Sequence, residues 1–136
     1  HTLDLSHSWD GKPLLHGNCT LEVRTPVRNQ NPYLVQVHDL VGRKRIFQHS
    51  SEDAERMGVL PAGPNRVLVY EYRRHKRETG PYFKLTPYDL GTGEAGAPVN
   101  LDYWSSARHS PHHLQLVGNL LLVREHQSLR AWRLAL

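Results

Sequence analysis

Three imidazoles fall within five residues, at His109, His112 and His113. Side chains of this type bind zinc or copper, and ligands so close in sequence lower the entropy lost in closing a site. No carboxylate or thiol stands beside them to complete a coordination sphere, so the competing reading is a polar loop with one ring turned inward. His1 suggests a second metal chemistry, because an N-terminal His chelates copper through its amine and ring. A chain that opens on His rather than Met is instead expected to be processed, excised or left with a tag remnant.

A different chemistry lies between two strong strand signals. Arg73, Arg74, His75, Lys76 and Arg77 form a basic run, and guanidinium groups pair bidentately with carboxylate or phosphate. Glu71 and Glu78 flank the run, so a solvated loop of mixed charge is the plain alternative. Arg73, Arg74, Lys76 and Arg77 are the candidate binding residues. Tyr103 and Trp104 join them, since Tyr and Trp are favoured at contact hot spots, although an aromatic pair also fills cores well. No catalytic residue is assigned. Ser110 beside His109 is adjacency rather than geometry, and there is no nucleophile elbow, Gly-rich phosphate loop or HExxH helix. No cofactor is implied.

Composition narrows the classes further. In 136 residues, 17 Lys and Arg stand against 13 Asp and Glu, for a net charge of +4 with the ten His neutral. Such a mildly basic surface attracts anionic partners in general. Nucleic-acid binding is disfavoured, because it needs the charge gathered on one face. No apolar run approaches a membrane span. A single Cys excludes an intramolecular disulfide framework and a Cys-based zinc module, and it favours an intracellular, reducing compartment. Asn18-Cys19-Thr20 fits the glycosylation sequon, a pattern that chance often supplies.

The elements that position these residues are strands. Leu21-Glu22-Val23 alternates, as do Tyr82 to Tyr88 and Leu129 to Leu134. Arg66 to Tyr72 is rich in β-branched and aromatic residues. Leu120 to Val123 is a continuous apolar run, as in a strand buried on both faces. Turn residues separate these runs at Gly17-Asn18, Pro61 to Asn65, Gly91 to Gly93 and Gly118-Asn119. The charges of Arg43, Lys44 and Arg45 suit an edge strand guarded against aggregation. Helix signals are confined to Ser50 to Gly58, where Ser51 can cap, Glu52 and Asp53 lie in the first turn and Gly58 can stop the helix. The pattern predicts an all-β chain of about twelve short antiparallel strands.

A repeat runs through the chain. Gly17-Asn18 through Val23, Pro64-Asn65 through Tyr70, and Gly118-Asn119 through Val123 match one another, and spacings of this order mark propeller blades. Asp89-Leu90-Gly91-Thr92-Gly93-Glu94 resembles the link between the third and fourth strands of a β-propeller blade, and Asp39-Leu40-Val41-Gly42 resembles a degenerate copy. The chain thereby resembles the β-propeller superfamily, without the Gly-His and Trp-Asp marks of the WD40 class. The resemblance implies three four-stranded blades in one all-β domain over 1–136: repeat 1 about 7–49, repeat 2 about 57–101, and repeat 3 about 112–136 with an N-terminal strand at 2–6 completing it. Three blades fall short of a ring. The implied function is a non-enzymatic protein-interaction scaffold, completed by itself as a homodimer forming a six-bladed ring or by another propeller-forming chain. The alternative fold is a β-trefoil, acting as a monomeric carbohydrate-binding module, although Arg130-Ala131-Trp132 lacks the expected Gln. A third reading is a metal site or enzyme built on the His residues.

Overall fold

Alternating apolar side chains lay one face of a strand against a core and leave the other to solvent. In the computed structural model, which describes residues 14–24, 33–52, 54, 56–73, 82–101, 113–124 and 129–135, this pattern produces three antiparallel sheets. Sheet 1 contains β1 (Leu14–His16), β2 (Cys19–Arg24), β3 (Tyr33–Asp39) and β4 (Lys44–Ser51), in that order. Sheet 2 repeats the order with β5 (Arg56–Pro61), β6 (Arg66–Arg73), β7 (Tyr82–Asp89) and β8 (Val99–Leu101). Sheet 3 contains β9 (His113–Val117), β10 (Leu120–Arg124) and β11 (Leu129–Arg133). Every strand pairs with its neighbours in sequence, so each sheet is an up-and-down meander. The predicted strand at 2–6 lies outside the described residues.

The repeat read from sequence is a repeat of hydrogen bonds. The carbonyl of Asn18 accepts the amide of Leu40 at 2.8 Å, that of Asn65 accepts Leu90 at 2.8 Å, and that of Asn119 accepts Leu134 at 2.7 Å. In each sheet this bond ties the turn between the first two strands to the residue that follows the third. The ladders agree with it: Cys19 pairs with Asp39, Arg66 with Asp89, and Leu120 with Arg133. In two sheets an Asp follows the same plan. Asp39 Oδ1 accepts the amide of Val41 at 3.0 Å, and Asp89 Oδ1 accepts those of Gly91 at 2.7 Å and Thr92 at 3.1 Å. A short carboxylate that bonds its own backbone two residues on fixes such a turn.

Apolar residues divide into two clusters. Leu21, Val23, Val35, Val37 and Phe47 of sheet 1 pack on Met57, Val59, Val67, Val69 and Tyr88 of sheet 2. Leu60, Leu68, Tyr70, Tyr72, Phe83 and Leu85, on the opposite face of sheet 2, pack on Leu114, Leu121, Val123 and Leu134. Sheet 2 is thus the middle layer. Along β6, every residue from Val67 to Arg73 is buried.

Two local expectations are corrected. Ser50 to Gly58 is not a helix in its described part: β4 runs through Ser51, and β5 begins at Arg56. Ser51 makes its cap-like bond, accepting the Ala54 amide at 3.2 Å, but in a turn between strands. Pairing of Ser51 with Tyr33 and of Gly58 with Tyr70 claims both flanks, and a nine-residue segment, too short to be a stable helix on its own, does not compete with two ladders. Leu120 to Val123 is not buried on both faces. Leu121 and Val123 are fully buried, whereas Leu120 is 36% exposed. The basic residues Lys44 and Arg45 are exposed on β4, which is an edge strand.

The turns after β3 and β7 also explain why one copy of the motif is degenerate. Four residues beyond the Asp, Gly93 has φ +75° and Arg43 has φ +53°. A β-carbon at Gly93 would lie 2.5 Å from the Ile46 carbonyl oxygen of sheet 1. A non-glycine residue in this left-handed region costs about 1–2 kcal/mol. Gly93→Ala is therefore expected to destabilise the fold by at least that amount. Arg43→Gly should be neutral or stabilising by up to about 1 kcal/mol, because Gly's greater unfolded-state entropy offsets part of the relief. Urea titration of the two variants checks the opposite signs.

Candidate functional site

Contacts between turns fix which ends of the sheets coincide. His16, at the end of β1, donates through Nε2 to the Gly63 carbonyl at 2.7 Å, and Gly93 abuts Ile46. A cavity of about 450 Å³ brings Ala135 of the third repeat beside Arg66, Pro87 and Glu94 of the second. All of these lie at the turn end, where the Asn carbonyls sit. The strand ends that flank residues 25–32, 74–81, 102–112 and 125–128 lie at the other end of the three sheets.

The sequence candidates distribute unevenly over this frame. Arg73 is not part of a projecting loop: it is the last residue of β6 and is only 1% exposed. The β6–β7 ladder extends to the Arg73–Tyr82 pair, one residue further than the aromatic run suggests. Arg74, Lys76, Arg77, Tyr103, Trp104, His109 and His112 lie outside the described residues. His113 opens β9, its backbone opposite Arg124. Among the described residues, no three His, Cys, Asp or Glu side chains gather as a metal site.

What sequence reading missed is a polar tie across the first core. Glu71 lies on β6 between Tyr70 and Tyr72 and faces sheet 1, where it is 4% exposed. His49 of β4 donates through Nε2 to Glu71 Oε2 at 2.9 Å. Its other ring nitrogen, Nδ1, lies 2.6 Å from the Tyr88 hydroxyl. Tyr88 stacks flat on Phe47, with ring centroids 3.8 Å apart. Lys84 Nζ stands 3.6 Å from the same carboxylate oxygen. A lone acid inside an apolar strand was the available signal, because a buried carboxylate requires partners. Lys84 comes from the directly opposite position of β7 in the same sheet, but His49 comes from another sheet, so spacing along the chain could not name it.

Burial pushes the Glu71 carboxyl up, but hydrogen bonds from His49 and Ser51 and the charges of His49 and Lys84 outweigh it, so its pKa lies below the usual value. Burial and the nearby Glu71 charge raise the Tyr88 hydroxyl, which stays protonated at neutral pH. Both ring nitrogens of His49 are engaged, so the group holds two sheets together and offers no free lone pair to a metal or substrate.

Comparison with known proteins returns no match: no protein-family model, no characterised protein and no solved structure aligns significantly with the chain.

The tie generates a pH dependence. A carboxylate whose folded pKa is depressed contributes stability above its unfolded pKa and loses it as pH falls through the folded value. Melting temperature should therefore drop in acid below the ordinary carboxylate pKa of 4.5, and Glu71→Gln should flatten that acid limb. His49→Ala should cost about 1–3 kcal/mol at neutral pH, the range for stripping a partner from a buried polar group. Thermal melts of the three proteins across this pH range provide the check.

Proposed function

We propose that the chain is a non-enzymatic protein-interaction scaffold: three blades of the β-propeller type, completed by a second copy into a six-bladed ring. The observation that carries this reading is the placement of exposed apolar side chains. Leu15 lies on β1 and Leu40 and Val41 in the β3–β4 turn of sheet 1, and Val117, Leu120 and Leu129 lie on the strands of sheet 3. Among the described residues, no large hydrophobic of sheet 2 is exposed. Among the described residues, the middle sheet has a neighbour on each side, and each outer sheet keeps an apolar remnant on the side that no described sheet covers.

The repeat gives that remnant a direction. Leu90 packs against the cluster shared with the preceding sheet 1, and Leu134 lies in the cluster shared with the preceding sheet 2. Leu40 holds the same position in sheet 1, before which the described residues place no other sheet, and is 52% exposed. Val117 and Leu120 pair across β9 and β10 on the face of sheet 3 turned away from sheet 2. Contacts of this head-to-tail kind are heterologous, and they end in a closed ring when the rotation permits. The separation of the core into two clusters also supports blades over a trefoil, in which the repeats share one central core. Recognition of a protein partner then belongs to the end of the sheets opposite the tight turns, where loops on a rigid scaffold carry binding.

Light scattering after gel filtration tests the reading. The expected mass is twice the 15.6 kDa of one chain. Leu129→Glu and Leu40→Glu should each return the protein to monomer without changing the strand content seen by circular dichroism. A wild-type protein that stays monomeric at about 100 μM, well above the dissociation constants of specific complexes, overturns self-completion.

A further inference from the structure

The internal repeat allows the two open faces to be compared, position by position, with the two interfaces that already exist. In each sheet, the residue five places after the turn Asn faces forward, toward the next sheet. These residues are Val23, Tyr70 and Arg124. The residue four places after the Asn faces backward, and these residues are Glu22, Val69 and Val123. Val23 and Val69 are both fully buried in the cluster between sheets 1 and 2. Tyr70 and Val123 are both fully buried in the cluster between sheets 2 and 3. The two positions left over, Arg124 on the forward face of sheet 3 and Glu22 on the backward face of sheet 1, hold opposite charges where the internal interfaces hold apolar pairs.

From this placement we infer that the forward face of sheet 3 docks on the backward face of sheet 1 of a second copy, with Arg124 opposite Glu22 as the pair that selects this contact. The inference rests on the scaffold reading above and adds the residues that read the partner. Two observations carry it beyond charge alone. The contact continues the head-to-tail order of the two existing interfaces, and both faces carry exposed aliphatic side chains around the charged position: Leu120 and Leu129 on one, Leu15 on the other. Within the chain, Glu22 is held by Arg24 Nε at 3.0 Å, and Arg24 is 61% exposed at its side chain. Docking gives the carboxylate a second guanidinium. Arg45 of β4 is bonded to Gln48 at 2.6 Å. A charge pair at the centre of an interface selects a partner more than it tightens the contact, because its desolvation offsets most of its attraction.

Charge exchange tests the inference, with dimer dissociation constants read by analytical ultracentrifugation. Glu22→Arg alone and Arg124→Glu alone place like charges together, and each should weaken the dimer by about tenfold or more. The double exchange should recover most of that loss. Glu22→Val with Arg124→Tyr rebuilds the Tyr70–Val123 combination, and it should bind at least as tightly as the wild type. Single variants with unchanged dissociation constants, or a double exchange without recovery, overturn the pairing while leaving self-completion intact. A monomeric wild type removes self-completion. The apolar double variant then decides the pairing: its assembly supports the docking of these two faces, and its remaining monomeric overturns it.

Discussion

The two-sided burial of sheet 2 is the constraint on which the rest depends. A strand packed on both faces cannot alternate with polar residues, so β6 must be apolar throughout or find partners for whatever is not. Val67 to Val69 meet the first condition, with one face toward sheet 1 and the other toward sheet 3. Glu71 meets the second. Its carboxylate is taken from water by the approach of sheet 1, and the same approach delivers His49. Packing and charge are therefore coupled: sheet 1 cannot move off sheet 2 without breaking the bonds that make burial of Glu71 tolerable. The Phe47–Tyr88 stack adds apolar contact at the same seam.

Most of the architecture was legible because its signals are local. Strand existence follows from alternation, and turns follow from residues able to take their backbone angles. Gly17 and Gly118 have φ of +58° and +59°, the first central position of a II′ hairpin turn, and both precede the Asn that marks each repeat. The sheet divisions follow from the same repeat. What failed did so where a non-local partner decides the outcome. Ser51 carries a true capping side chain, and its bond to Ala54 forms, but the strands on either side already have ladders to fill. Arg73 looks like the first residue of a basic loop, and β7 pairs one residue further than expected.

The candidate site shows the same division more sharply. The basic run and the His cluster are conspicuous in sequence because their residue types are concentrated. The His49–Glu71–Tyr88 group is built from one residue on each of three strands, 22 and 39 positions from His49. Neither distance corresponds to a periodicity of strand or helix, so only the stacking of sheets assembles the group. Its chemistry is that of a fastener. An imidazole bonded at both nitrogens, between an ionised carboxylate and a protonated phenol, is held in one orientation.

Stacking sheets in a single direction has a consequence for the surface. Each interface joins the forward face of one repeat to the backward face of the next, so an array of any length ends in two unlike faces. Two remedies exist: polar residues on the end faces, or a neighbour. Sheet 1 shows both at once. Gln36 bonds Gln48 at 3.1 Å, and Glu22 bonds Arg24, in a face that satisfies itself in water. Yet Leu40 remains exposed at the position where Leu134 is 3% exposed beneath the preceding sheet. Terminal repeats of stacked arrays become soluble by replacing such residues with polar ones. Under the self-completion proposed above, a terminal sheet that is polar at its centre and still apolar at its turn suits an interface that forms after folding. That order of events requires charged residues at positions the internal interfaces fill with aliphatic ones, since the face must be stable both in water and against its partner.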